Sequence, residues 1–181
     1  MIKKVKLLDG REVTIRYLKP DDCDRLYEYF CKGINEEDIL LFKDNVRDYY
    51  VVKSWCENMD FDKVIPIVAE EGSSIISTGT LHLRGHGWFR YFGKIRVSVC
   101  IRCRGIGLGK VMIETLIDLA KDRGLKVVMA EVLSVQKVAL KVFKECGFVE
   151  ACKIENIAKD VNMKPMDLYL LLYYMEEPRK L

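Results

Sequence analysis

Apolar and polar positions along the chain divide it into a series of short segments with two different periods. "EVTIRYL" (12–18) alternates and stops before Pro20, which predicts a strand. "DDCDRLYEYF" (21–30) follows with capping aspartates and with Leu26, Tyr29 and Phe30 at helical spacing. A second helical stretch is expected over much of 36–58. Next come "KVIPIVAE" (63–70), "IISTGTLHL" (75–83) and "KIRVSVCI" (94–101), each bounded by glycine or charge. Three such strands with short connections predict an antiparallel meander. Leu108, Val111, Met112, Thr115, Leu116, Leu119 and Ala120 then recur with the helical period, and Gly124 ends that helix. "KVVMAEVL" (126–133) is a nearly continuous β-branched run, as in a strand covered on both faces. Val138, Val142, Phe143 and Cys146 share one face of another helix, which stops at Gly147. "EACKIENI" and "MDLYLLLYY", joined across "NMKP", predict a closing hairpin. No repeat or linker interrupts this order. The expectation is a single α/β domain over 1–181, with helices flanking a mixed sheet of about six or seven strands.

Composition narrows the partners. The 181 residues are 50% hydrophobic and 31% charged, the profile of a globular domain. A net charge of +3, with basic residues scattered along the chain, argues against nucleic acid. "MIKKVKLLDGREV" turns polar at once, unlike a secretory leader, and no window approaches the ~20 apolar residues that cross a bilayer. A cytoplasmic protein with no membrane partner is expected. Seven cysteines, most inside apolar patterns, read as small core residues. Cys100 and Cys103 form a C-x-x-C without a second pair of ligands, and His82 and His86 lie at a strand end and turn, so no metal is expected.

The chemistry concentrates in "IRCRGIGLGKVM" (101–112), where Gly105, Gly107 and Gly109 alternate between an apolar strand and a helix. A strand–glycine loop–helix element offers unpaired amide N–H groups and the positive end of a helix dipole, and phosphate groups bind such places. One glycine would suffice for a tight turn; three point to a close approach by something else. The dinucleotide fingerprint G-x-G-x-x-G fails, because Lys110 stands where its third glycine belongs. The nucleotide P-loop fails too, because Val111 replaces the hydroxyl after Gly109–Lys110 and Arg104 replaces the first glycine.

What does match is R-x-x-G-x-G, filled by Arg104, Gly107 and Gly109. In this motif the sequence resembles the GNAT superfamily of acyl-CoA-dependent N-acyltransferases. "VSVCIRCRGIGLGKVMIETLIDLAKDRGLKVVMAEV" is similar to that family's strand, pyrophosphate loop, helix and next strand, "ALKVFKECGFVEACKI" to its following helix and last strands, and "DGREVTIRYLKPDDCDRL" to its opening, so the likeness covers about 10–175. The resemblance implies a sheet whose splayed strands form an acyl-CoA cleft, with acetyl-CoA as co-substrate. It implies that the backbone of Arg104, Gly105, Ile106, Gly107, Leu108, Gly109 and Lys110 cradles the cofactor's pyrophosphate, with Arg104 and Lys110 near the phosphate charge. It implies pantetheine contacts along Val97 and Val99, a cofactor contact from Gln136 in place of the family's asparagine, and Phe143 where the family often has a tyrosine acid.

A second departure bears on the base. Many members carry a glutamate early in the strand before the motif, and Lys94 stands there in this chain, with no acid from Gly93 to Lys110. A thiol of pKa about 8.5 leaves as thiolate at pH 7 for roughly 2 kcal/mol, whereas freeing a lysine amine of pKa about 10.4 costs roughly 4.6 kcal/mol. The missing base is the larger gap. Glu131, on the adjoining strand, is the first candidate for it; Tyr169, Tyr173, Tyr174 or a water chain are the substitutes.

The expected activity is transfer of acetyl from acetyl-CoA to a primary amine by direct attack. "LLDGREVTIRYLKPDD", "INEEDILLF" and "AEVL" further resemble Pat-type protein lysine acetyltransferases, which implies a protein lysine as acceptor. A small-molecule amine or a protein N-terminus is the alternative, and a homodimer is compatible with the family. A third reading, motivated by Lys94 and Phe143, is a non-catalytic acyl-CoA sensor that kept the pocket and lost the base.

Overall fold

The computed structural model describes residues 2–160 and 162–176. Ile2–Lys6 (β1) and Glu12–Tyr17 (β2) pair antiparallel, with Lys3 opposite Ile15 and Val5 opposite Val13. The sequence pattern starts the first strand at residue 12 and does not foresee β1. "KKVK" is too charged to announce a strand, and it is extended because β2 supplies its hydrogen-bond partners.

Cys23–Glu28 (α1) follows, continued by a wider helical turn over Tyr29–Gly33. The single helical stretch expected over 36–58 is instead two helices, Glu36–Ile39 (α2) and Tyr49–Glu57 (α3). Each begins at its own cap: the Asn35 side chain accepts from the Asp38 N–H and the Asp48 side chain from the Tyr50 N–H. "KDNVRD" between them is rich in Asp and Asn, which compete with a helix for backbone N–H groups.

Val64–Glu71 (β3), Ser74–His82 (β4) and Phe92–Val99 (β5) form the expected antiparallel meander, attached to β2 through β3. Leu108–Asp122 (α4), Val127–Leu133 (β6), Lys137–Glu145 (α5), Val149–Lys159 (β7) and Pro165–Tyr174 (β8) complete the chain. The sheet therefore has eight strands in the order β1-β2-β3-β4-β5-β6-β8-β7, against the six or seven expected.

α4 lies close on one face of this sheet. A Cβ at Gly79 would stand 3.1–3.2 Å from Leu116, Ile67 and Met112, so the missing side chain is what lets the helix approach β4. Tyr29 and Phe30 pack on the opposite face. At the start of α1, buried Asp22 accepts two hydrogen bonds from Arg16, whose guanidinium also reaches Glu70, so β2, β3 and α1 are tied together by charge as well as by burial. Cys56, Cys100 and Cys103 are core residues, as expected; Cys152 on the outer strand β7 is exposed and departs from that reading.

One irregularity of the sheet positions everything that follows. β5 and β6 are parallel neighbours only from Phe92–Lys94 to Val127–Met129. Beyond Lys94, β5 continues to Val99 bonded to β4 alone, and β6 continues to Leu133 bonded to β8 alone. The two strands part, and the edge of β5 from Ile95 to Val99 has no strand partner on that side among the described residues.

Candidate active site

The parting strands open a cleft of about 2340 Å³ whose walls include Val97, Val99, Gly105, Gly109, Glu131 and Phe143. At its upper end, Ile101–Cys103 makes one tight helical turn and Arg104 is extended. Gly105 (φ +77°) and Gly107 (φ +85°) then take left-handed conformations that lead the chain directly into α4. Side chains at those φ values are strained, so these two glycines are required by the backbone itself.

Gly109 is different. It is helical, and a Cβ there would meet only the Val99 side chain, at 3.7 Å, an ordinary contact. The protein does not need a glycine at that position for its own packing. What the absent side chain leaves is open space between the first turn of α4 and the end of β5.

The backbone N–H groups from Gly105 to Lys110 have no protein acceptor among the described residues. Three of them belong to the first turn of α4, where unpaired donors and the helix dipole favour an anion. The carbonyl of Ile106 is used, accepting from the Leu8 N–H at 3.2 Å, so the loop is anchored from behind while its donors stay free. Leu108 itself is buried; only its backbone belongs to the cup.

The side chains expected near the phosphates divide. Arg104 is ion-paired with Asp38 on α2 and donates from Nε to the Val99 carbonyl at 3.3 Å, so it pins α2 to the loop. Lys110 is exposed on the cleft wall and makes no ion pair among the described residues. Val97 and Val99 are half-buried, packing against the core while lining the cleft. Gln136 lines it too, but its Oε1 accepts from the Leu133 N–H at 2.9 Å and so closes the turn before α5. Phe143 is buried edge-on against Phe148 at 5.1 Å between ring centres. Of the residues named as substitutes for the missing base, Tyr169 pairs with Val132 within the sheet, Tyr173 packs on Phe148, and none of Tyr169, Tyr173 and Tyr174 lines the cleft.

Glu131 does reach the cleft, at the point where the strands part. Its Oε2 accepts from Lys43 Nζ at 2.7 Å and its Oε1 from Lys94 Nζ at 2.5 Å. Burial pushes its carboxyl up, but the hydrogen bonds and charges of the two lysines outweigh this and hold it below the usual carboxylate range. Lys94 is pushed down, chiefly by burial and further by the ammonium of Lys43, against the pull of Glu131. Lys94, where the resemblance implies a glutamate, and Glu131, the candidate for that role, are thus partners in one ion pair.

Several side chains of this region have no signature in the sequence. Lys43 arrives from the segment between α2 and α3, Arg96 and Ser98 from β5, and Thr78, Thr80 and His82 from β4, all lining the cleft. Tyr29, buried and pushed well above the ordinary phenol range by that burial, shares a 2.6 Å hydrogen bond with Ser98, which contacts Thr78 at 3.1 Å. The even-numbered alternation along "GKIRVSVC" puts Lys94, Arg96 and Ser98 on one side, and that period was the only available signal. Among the described residues, no group of three or more His, Cys, Asp or Glu could hold a metal, and no helix is long and apolar enough to cross a membrane.

A family model described as "Acetyltransferase (GNAT) family" matches residues 25–148. No curated protein matches the sequence significantly. Solved structures share the fold at low identity. The GNAT domain of the Streptomyces lividans (S. lividans) protein PAT superposes with a TM-score of 0.79 at 18% identity, covering 96% of this chain and 97% of that one. For yncA of Salmonella typhimurium, assigned as an acetyltransferase and solved with its cofactor acetyl-CoA, the values are 0.77, 20%, 93% and 97%. For the ribosomal-protein-alanine N-acetyltransferase of Brucella melitensis they are 0.75, 20%, 89% and 99%.

Proposed function

We propose that this chain, which belongs to the acetyltransferase (GNAT) family, transfers the acetyl group of acetyl-CoA to a primary amine by direct attack. The observation that carries the reading is the run of unpaired amides from Gly105 to Lys110, set beside an unpaired strand edge in the same cleft. The cup suits a diphosphate: the donors are free, and Gly109 lacks the side chain that would fill it. Lys110 adds a cation at its mouth, and the edge of β5 at Val97 and Val99 offers main-chain groups to the amides of a pantetheine arm. The yncA structure, which holds acetyl-CoA on the same fold, supports this choice of donor.

Acetyl-CoA supplies an activated thioester, and the chain's task is to present a neutral amine to it. Lys94 and Lys43 keep Glu131 ionised, as a proton acceptor must be. The same lysines lower the proton affinity of any amine brought beside them, which removes part of the roughly 4.6 kcal/mol that deprotonation at pH 7 requires. Main-chain N–H groups on the open edge of β5 are placed to stabilise negative charge on the thioester oxygen. Phe143 offers no proton to the departing thiol, which leaves as thiolate at a cost of roughly 2 kcal/mol at pH 7 and takes its proton from water. The seven free cysteines fit a reducing cytoplasmic setting.

The likeness to solved structures, at 20% identity or less, does not choose between a protein lysine, a protein N-terminus and a small molecule. The test begins with calorimetry on CoA-stripped protein, where acetyl-CoA binding is expected. Mass spectrometry then follows acetylation of a panel of amines and denatured-proteome peptides. Absence of acetyl-CoA binding at millimolar concentration overturns the proposal; binding without acetylation of any amine leaves the sensor reading instead.

A further inference from the structure

The wall of the cleft that faces the acceptor is cationic, and the sequence explains how. No aspartate or glutamate occurs between Glu71 and Glu114, a stretch that contains all of β4, β5 and the glycine loop. Those strands contribute Lys94 and Arg96 to the cleft, and the segment after α2 adds Lys43. The carboxylates on this part of the wall are Glu131 and Asp44. Glu131 already has one lysine on each oxygen. Arg96 makes no ion pair among the described residues, and its guanidinium is exposed into the opening.

His82 shares this wall. It lies on β4 directly opposite Lys94, with Nε2 3.0 Å from Thr80 Oγ1. Burial first, and then the charges of Arg96, Lys94 and Lys43, hold its imidazole down to about 4, with Asp44 pulling weakly the other way. A wall carrying Lys43, Lys94 and Arg96 resists an acceptor whose only charge is positive. A lysine side chain of a folded protein or a polyamine is such an acceptor.

Resting on the acetyltransferase reading, we infer that the acceptor is a small amine carrying its own carboxylate near the nitrogen, of the α-amino acid class, with Arg96 as the residue that binds the carboxylate. The planar guanidinium suits a two-point grip on a carboxylate. Arg96 and Lys94 lie two residues apart on one side of β5, about 7 Å along the strand. A carboxylate held at Arg96 therefore leaves the adjoining amine beside the Lys94–Glu131 pair, where the strands part. The positive wall then works in two ways: it attracts the carboxylate, and it lowers the proton affinity of the attached amine.

The experiment compares L-amino acids with their carboxamides, alongside spermidine and a lysine peptide, each with acetyl-CoA. Amino acids are expected to exceed their carboxamides in kcat/KM by about ten- to a hundredfold, the size of one charge-assisted hydrogen-bonded pair. Arg96→Gln, a change at an exposed position, brings that ratio close to one, while Arg96→Lys restores part of it. Calorimetric titration of the preferred amino acid into CoA-saturated protein gives a readout independent of turnover: binding in the wild type, and its loss in Arg96→Gln. Equal use of acid and carboxamide, preference for the peptide or spermidine, or an acid-to-amide ratio unaffected by Arg96→Gln each overturn the inference while acetyl-CoA still binds. Loss of acetyl-CoA binding by the wild-type protein removes the acetyltransferase reading, and this inference with it.

Discussion

The two ends of β5 differ in which part of the polypeptide carries the chemistry. At the Val99 end, six consecutive main-chain N–H groups form the cup and side chains matter chiefly by being absent, as at Gly109. At the Lys94 end, the backbone is conventionally paired with β4 and β6, and the chemistry sits in polar and charged side chains from four separate segments: Lys43, His82, Lys94 with Arg96, and Glu131. A backbone site accepts a ligand common to many enzymes, because every chain has amides. A side-chain site can be recharged by single substitutions, so it is where acceptor choice can change while the donor stays the same.

If this division is right, changes at one end should leave the other end's property intact. The largest effect is expected from Gly109→Ile, whose Cβ meets only the Val99 side chain, at an ordinary contact distance, and whose branches are expected to enter the cup. Acetyl-CoA affinity should fall at least about a hundredfold by calorimetry, with the melting temperature moving by no more than about 2 °C. A large loss of stability instead would mean that Gly109 serves the fold. Glu131→Gln should act at the other end only. It is expected to lower kcat by about ten- to a hundredfold in steady-state assays, with acetyl-CoA affinity changed by less than about twofold. Weakened acetyl-CoA binding in that variant would show that the two ends are one site.

The smallest effect concerns pH. His82 has a folded-state pKa near 4, below its ordinary 6.5, so between these values the unfolded chain binds a proton that the folded chain does not. The neutral, half-buried imidazole contributes its stability fully above pH 6.5, and this contribution is lost progressively as pH falls towards 4. Thermal melts at pH 7 and pH 5 should show the wild type losing about 2–4 °C more than His82→Gln. An identical acid-side loss in both proteins would show that the fold does not hold His82 neutral.

How much was legible before the fold was known follows the same division. The meander, the glycine loop, the helix after it and the closing hairpin are all written in short-range periods, and the loop's function is readable because φ above zero and close approach both demand glycine locally. β1 is not foreseen because its five charged and apolar residues are extended only in answer to β2. The split between α2 and α3 is not foreseen, although Asn35 and Asp48, their caps, are visible in the sequence. Arg104 was expected beside the phosphates, and its pairing with Asp38 spans 66 positions. Nothing local announces such a partner.

By itself, the sequence determined the alternation of elements, the left-handed turns at Gly105 and Gly107 and a helix start with free donors, because each depends on neighbours a few residues apart. Only the tertiary structure decided that β5 and β6 part after Lys94, and that Lys43 and Lys94 converge on one carboxylate from 88 positions away and from the adjoining strand. The physical reason is that a charged site is defined by distances between side chains on different elements, and those distances exist only once the sheet has assembled.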